Sequence, residues 1–345
     1  GGKTVLEDSK PSVLEDKLIE DELSEYKLTK DKLKKYKRGF FILLGVFLVF
    51  LCLTVTYLYL NYDYLVFKHF ISHHYIYTDA LDQLYSSELK TDVQGKYYSY
   101  FDNLVISVVT KRIREINNDR YTYLYLPEQY EKHKQEEKDE ALQSEFKVLN
   151  DKTAYLHITN FSSYTRDFLK DKTAEIANYP YLIIDLRSNY GGDTLAMYDM
   201  ASLFLPKGKI LATDKMRLFS KTFRSKTDGV LFNDKLDKII ILQDGNTASA
   251  SENFIAALKD NLDNVILIGD KTFGKGIGQF TMPLRRGYAV KATTMLWYTP
   301  NGLNIQGNGI EPDIYYTKED GNIIEFALKL LDTIIQGAKA LPLPQ

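Results

Sequence analysis

Apolar and polar positions fall into three regimes along the chain. Residues 39–60, GFFILLGVFLVFLCLTVTYLYL, run for 22 positions without a charge. At about 1.5 Å per residue that length crosses roughly 30 Å of hydrocarbon as a single helix. It is long for the apolar region of a cleavable signal, and no small-residue cleavage site follows Leu60. From residue 64 to about 130 the chain is tyrosine-rich. Apolar residues recur at helical spacing, as Leu81, Leu84 and Leu89 and then as Phe101, Leu104, Val105 and Val108, which predicts a small helical region. From residue 152 the pattern changes to short Ile, Leu and Val runs, at 154–158, 182–184, 239–242 and 265–268. Runs of that length suit strands buried on both faces. The helical patterns between them, at 164–177, 193–205 and 249–262, predict an α/β core with crossover connections.

The remaining segments are charged. Residues 1–25 carry Glu7, Asp8, Glu15, Asp16, Glu20, Asp21, Glu22 and Glu25 without a strong apolar face, and read as a solvated tail. Residues 26–38 hold seven cations, Lys27, Lys30, Lys32, Lys34, Lys35, Lys37 and Arg38, against Asp31 alone. A basic flank stays on the cytoplasmic side. The expectation is a single-pass protein of the cell membrane, with residues 1–38 cytoplasmic, 39–60 spanning, and everything after Leu60 extracytoplasmic. Residues 131–146, EKHKQEEKDEALQSEF, predict an exposed linker or short helix, within a charged linker at 131–150. The core is expected over 151–335, with a tail at 336–345.

Composition narrows the chemistry. The 345 residues are 44% hydrophobic and 26% charged, a globular balance, and the formal charge of −2 offers no basic field for nucleic acid. Cys52 is the only cysteine, which excludes intrachain disulfides and multi-cysteine metal sites. The five histidines, His69, His73, His74, His133 and His157, show no ligand spacing. No metal and no cofactor is expected.

Three segments could carry chemistry. In residues 239–260, IIILQDGNTASASENFIAALKD, a strand turns into a helix with Ser249 and Ser251 in its first turn. Free N–H groups and the positive dipole end there can stabilise an oxyanion. Ser249-Ala250-Ser251-Glu252 is equally the pattern of a capping box, with Ser at the N-cap and Glu at N3. Gly269 to Gly276 imitates a phosphate-binding loop. Gly276 follows the lysine where Ser or Thr is needed, however, and Gly278 and Pro283 stop a helix from following. Glycines on both sides of Lys275 point instead to backbone pressed against another segment. The Gly191–Gly192 pair, ending LIIDLRSNYGG, could present N–H groups to an anion or simply make a turn.

Four segments in order, DLRSNYGG (185–192), TASASE (247–252), TFGKGIGQ (272–279) and YTPNGLNIQGNGIEPDI (298–314), resemble the carboxyl-terminal processing peptidases, or tail-specific proteases. The likeness runs over roughly residues 121–331, and DRYT with PEQY (119–130) is similar to the segment that precedes the family's PDZ domain. The resemblance implies a crotonase-like and ClpP-like α/β serine peptidase core, with a small helical region before it and one transmembrane helix ahead of that. It implies Ser249 as nucleophile, Lys275 as general base and Gln279 as the group that orients the lysine. An oxyanion hole would come from Gly191 or Gly192 with Ala250, and Asp260 and Glu252 would be supporting carboxylates. Protein or peptide substrates follow. A lysine can serve as base only when burial lowers its pKa from about 10.4.

Two departures stand out: Tyr190 replaces the proline usual before the glycine pair, and about twenty residues fill the place of the PDZ domain. The function expected is a membrane-anchored endopeptidase cleaving exposed or C-terminal protein segments. The alternatives are a pseudo-protease that binds peptides without cutting them, and a coenzyme-A enzyme on a crotonase-like fold.

Overall fold

The computed structural model describes residues 13–77, 102–226, 228–231 and 236–337. The chain divides into two compact units, residues 1–62 and 63–345. The expected helical residues Leu81, Leu84, Leu89 and Phe101 lie outside the described residues, as does most of the expected C-terminal tail.

Among the described residues the first unit consists of α1 (Val13–Leu60), 48 residues long and apolar enough over its second half to cross a membrane, with the two residues that follow it. The acidic and basic stretch expected as a solvated tail is therefore helical from Val13 onward. Its Leu, Lys and Glu content favours helix, and an established helix extends at little nucleation cost.

The second unit begins with α2 (Tyr62–His74), α3 (Asp102–Asn117), β1 (Tyr123–Tyr125), α4 (Pro127–Ala141), β2 (Glu145–Asn150), β3 (Thr153–His157) and α5 (Ser163–Ile176). It continues through β4 (Tyr181–Asp185), α6 (Thr194–Ser202), β5 (Ile210–Met216), β6 (Ser220–Arg224), β7 (Lys238–Gln243) and α7 (Ala250–Lys259). It closes with β8 (Val265–Gly269), β9 (Ile277–Pro283), β10 (Ala289–Tyr298), β11 (Ile314–Tyr315) and α8 (Ile323–Ile335).

One sheet has the order β11-β8-β7-β4-β3-β2, parallel except for the antiparallel edge strand β2. Its strands are apolar at successive positions because both faces are covered. Leu182, Ile184, Ile239 and Ile241 pack with Leu169 of α5, Met197 of α6 and Phe254 of α7. Ile183, Ile240 and Leu242 pack on the other face with Ile323, Ala327 and Leu331 of α8. The four predicted strands and three predicted helices of the core are all present within a few residues.

The second sheet has the order β1-β10-β5-β6, with β9 on the other edge of β10. Phe67 and Ile71 of α2 and Ile106 and Ile113 of α3 cover Met282, Val290 and Ala292 of this sheet. The residues expected as a charged linker are structured: most belong to α4, which starts with Pro at its first turn, and the rest form β2. The Leu142–Ser144 connection between them leaves no room for a further domain at that point.

Candidate active site

Strand β7 leads through a tight turn into α7, and Ser249 is the last residue before the helix. Its backbone adopts φ 58° and ψ −116°, a conformation that costs a non-glycine residue energy and is held by its surroundings. The Ser249 hydroxyl makes no capping bond to the helix. Ser251 is fully buried and its Oγ donates to the Asn189 carbonyl at 3.0 Å. Of the two serines in the turn, Ser249 is the one whose hydroxyl is not committed to the fold.

Glu252, 0% exposed, organises the turn. Its Oε1 accepts from Thr272 Oγ1 at 2.6 Å and from the Gly274 N–H at 2.7 Å. Its Oε2 accepts from the N–H of Ser249 at 2.8 Å and from the N–H of Lys275 at 2.9 Å. One carboxylate oxygen thus pins the backbones of the serine and the lysine side by side. Burial raises the Glu252 pKa above the usual carboxylate value, and these four hydrogen bonds oppose the rise without cancelling it.

The backbone around Lys275 is fixed from the other side too. Trp297 Nε1 donates to the Lys275 carbonyl at 2.9 Å, and Asn304 Nδ2 donates to the Gly276 carbonyl at 2.8 Å. A Cβ on Gly276 would stand 2.6 Å from the Gln306 nitrogen, so the glycines beside Lys275 do admit the 304–309 segment. The Lys275 ammonium stands over the ring of Tyr121, 4.6 Å from its centroid, and makes no hydrogen bond to Ser249 Oγ. Burial, and secondarily the positive charges of Lys291 and Arg120, bring the Lys275 pKa down to about 8 against the opposing pull of Glu252 and Asp119. Tyr121 is set in place by Asp119, whose Oδ1 accepts its N–H at 3.1 Å and which also accepts from Tyr75 and Thr122. Arg120 stacks on the rings of both Tyr121 and Phe273.

The glycine pair lies against the serine. Gly191 has φ 104°, and a Cβ there would stand 2.9 Å from both Ala250 N and Ser249 Cβ. Gly192 has φ 139°, and its Cβ would collide with the Phe161 carbonyl oxygen at 2.1 Å. Asn189, fully buried, shapes the loop: its Oδ1 accepts the Gly191 N–H at 2.9 Å, and its carbonyl accepts the Ala248 N–H at 3.0 Å. Gly191 therefore has its donor occupied. The N–H groups of Gly192 and Ala250 find no acceptor among the described residues. The Tyr190 side chain is 64% exposed and does not enter the turn.

Gln279 lies on β9 opposite Thr293, and its Nε2 is buried without a partner. No hydrogen bond joins it to Lys275. Asp260 ends α7 some 16 Å along the axis from Ser249 by helix rise. It accepts the Asn301 N–H at 3.2 Å and so holds the 299–301 turn, away from the serine. Asn189, Asp119 and Tyr121 were not singled out as site residues by the sequence, although each lies inside a quoted motif. Their signal is tertiary, since each acts through a neighbour remote in the chain.

A cleft of about 850 Å³ opens at the carboxyl ends of the parallel strands, walled by His157, Asp185, Asp244 and Asp270, and includes neither Ser249 nor Lys275. Among the described residues no cluster of three or more His, Cys, Asp or Glu could hold a metal ion.

Residues 152–316, which hold this turn, match peptidase family S41. That match spans 165 of the chain's 345 residues and contains Ser249, Lys275 and the glycine pair. It is 34% identical over 165 residues to a probable CtpA-like serine protease of Staphylococcus aureus (strain COL), covering 47% of this chain and 33% of that protein. It is 39% identical over 133 residues to the protein of the same name from Staphylococcus haemolyticus (strain JCSC1435), covering 38% of this chain and 26% of that one. The matches thus span about a third or less of these relatives' length. Among solved structures, the fold superposes on the photosystem II D1 C-terminal processing protease with a TM-score of 0.60 at 16% identity, covering 79% of this chain and 97% of the other. A lipoprotein from Streptococcus agalactiae gives a TM-score of 0.60 at 18% identity, over 79% and 96% of the two chains.

Proposed function

We propose that this chain is a membrane-anchored serine endopeptidase in which Ser249 is the nucleophile and Lys275 the general base. The observation that carries this reading is the Glu252 oxygen shared by the N–H groups of Ser249 and Lys275, beside a lysine whose pKa burial has brought to about 8. Near neutral pH a useful fraction of such a lysine is uncharged and can take a proton.

The step begins with rotation of the Lys275 side chain from the Tyr121 ring toward Ser249. As Ser249 Oγ bonds to the substrate carbonyl carbon, its proton passes to Nζ and the carbonyl electron pair moves onto oxygen. The unoccupied N–H groups of Gly192 and Ala250 stabilise that oxyanion, with the dipole of α7 adding to them. Collapse breaks the C–N bond, and the lysine returns the proton to the departing amine. Water then repeats the sequence on the acyl-enzyme, releasing the acid and restoring Ser249. Gln279 acts as an orienting partner of Lys275 only after that rotation.

In this reading the apolar half of α1 is the anchor, the basic flank at 26–38 keeps the N-terminus cytoplasmic, and the peptidase unit is extracytoplasmic. With α4 and β2 occupying the place of a PDZ domain, substrate strands dock directly on the core, and tethering raises the local concentration of membrane-proximal substrates.

A fluorophosphonate probe tests the site. Mass spectrometry of the full-length protein should find the adduct on Ser249, slower in Lys275→Ala and absent in Ser249→Ala. An adduct on another residue, or equal labelling in Ser249→Ala, rejects the assignment.

A further inference from the structure

The β5–β6 hairpin plays no part in the site described. Between residues 207 and 226 it and its flanks carry seven cations, Lys207, Lys209, Lys215, Arg217, Lys221, Arg224 and Lys226, in a chain whose net charge is −2. The one carboxylate in that span, Asp214, is buried and so does not offset them at the surface. Lys226 is paired with Asp199 at 3.0 Å, but Lys215, Arg217 and Lys221, which flank the tip, form no salt bridge among the described residues.

At the tip, Leu218 is 69% exposed and Phe219 54% exposed. The tip is not a loose loop, because the Met216 N–H donates to the Phe219 carbonyl at 2.9 Å and closes the turn. Two adjacent large apolar side chains held outward by a fixed turn, between cations without anionic partners, form a compact amphipathic surface. β6 is also the outer strand of its sheet, so no neighbouring strand covers it.

The geometry points to the surface of an anionic lipid bilayer as the partner of this hairpin. Lys215, Arg217 and Lys221 would lie among the acidic headgroups while Leu218 and Phe219 enter the headgroup and acyl boundary. Position within the unit supports a lipid partner. Arg217 Nη1 donates to the Ser72 carbonyl at 2.5 Å, which ties the tip to the end of α2. Ser72 is nine residues from Asp63, where this unit begins, or about 14 Å along the helix. The segment that enters the unit there follows directly on the apolar half of α1. The proposal rests on the membrane-anchor reading for the presence of lipid, and not on the peptidase chemistry.

The test uses the full chain reconstituted into vesicles of phosphatidylcholine alone or of phosphatidylcholine with phosphatidylglycerol. The probe is Phe219→Trp, read against the wild-type background of Trp297. Co-flotation with vesicles reports the anchor by itself, and tryptophan emission reports the hairpin. The expected result is a blue shift and quenching by brominated lipid in the mixed vesicles. Both signals should fall to the phosphatidylcholine level at high salt, where headgroup attraction is screened, and when Lys215→Glu, Arg217→Glu and Lys221→Glu are combined. Emission that is unshifted and unquenched in floated, mixed-lipid vesicles overturns the proposal while leaving the anchor intact. Quenching that is indifferent to both salt and charge reversal overturns the anionic partner. An emission shift that depends on protein density rather than on lipid composition shows a second copy of the chain on this face instead, and also overturns it. The salt arm requires no further substitution, so a folding defect in the triple variant does not blunt the test.

Discussion

Ser251 Oγ donates to the carbonyl oxygen of Asn189 at 3.0 Å, joining the first turn of α7 to the glycine loop that follows β4. The bond separates two serines that look alike in the run TASASE. Ser251→Ala should keep peptidase activity within a few-fold and cost about 1 kcal/mol of stability, because the Asn189 carbonyl still accepts from Ala248. Ser249→Ala should abolish turnover with the melting temperature nearly unchanged, because the lost hydroxyl makes no capping bond and alanine keeps the Cβ at the same backbone angles. Thermal unfolding and peptide hydrolysis measured on both variants check the pair; if Ser251→Ala were the inactive one, the nucleophile would be misassigned.

Glu252 is expected to be the residue whose loss damages fold and rate together. Its four acceptor bonds go to donors in two segments, Ser249 and residues 272–275, and Glu252→Ala leaves buried N–H groups without partners, at a cost of roughly 3 kcal/mol or more. Glu252→Gln keeps the volume but turns one acceptor into a donor, facing either Ser249 and Lys275 or Thr272 and Gly274. It should fold with reduced stability and lose kcat more than KM. Unchanged kcat in a folded Glu252→Gln protein would show that the shared oxygen does not matter for the chemistry.

The pH profile should follow a lysine. Because the Lys275 pKa lies below its ordinary 10.5, at about 8, the uncharged base accumulates as pH rises through that value and the rate rises with it. The Lys291 charge contributes to the lowering, so Lys291→Met should move the midpoint of kcat/KM upward. A profile that tracks a group near 6.5, and is lost on histidine modification, would mean a different base.

Asp214 gives a separate stability signature. It is 3% exposed, and burial raises its pKa to about 6, above its ordinary 3.8, against the hydrogen bond from Tyr198 and the charge of Lys221. In the window between those values the folded state binds more protons than the unfolded one, so this group's contribution falls as pH rises to 6. Asp214→Asn should therefore stabilise the fold by on the order of 1–3 kcal/mol at pH 8 and much less at pH 4. Calorimetry at the two pH values reads this directly, and an equal effect at both would contradict it.

The parallel sheet was legible in the sequence because β3, β4, β7 and β8 are covered on both faces and read as uninterrupted apolar runs. The second sheet was not. β9 carries Gly278, Gln279 and Thr281, β5 and β6 carry Lys215, Lys221 and Arg224, and exposed or threonine-lined strands lack the apolar signal of a core. The stretch 131–150 left a linker and a short helix both open for a related reason: its charges lie on the outer side of α4, where they mask a helix anchored by Ala141 and by Asn160, which donates to the Glu137 carbonyl at 2.7 Å. In the site, Ser249, Glu252, Lys275 and the glycine pair come together from three separate segments. Asp260, expected as a supporting carboxylate, lies at the far end of α7, the helix that Ser249 begins. What the motifs left undecided was set by one local bond, Asn189 occupying the Gly191 N–H rather than that of Gly192, and by one contact remote in sequence, Tyr121 receiving the lysine.

The most direct measurement is hydrolysis of an unfolded polypeptide such as reduced casein by the full-length protein, followed by mass spectrometry of the products beside Ser249→Ala and Lys275→Ala. The Ser249–Lys275 account predicts peptides from the wild type at a rate that rises between pH 7 and 9, and none above background from either variant while both remain folded. Peptides from either folded variant at the wild-type rate, or none from the folded wild-type protein at any pH, would contradict it.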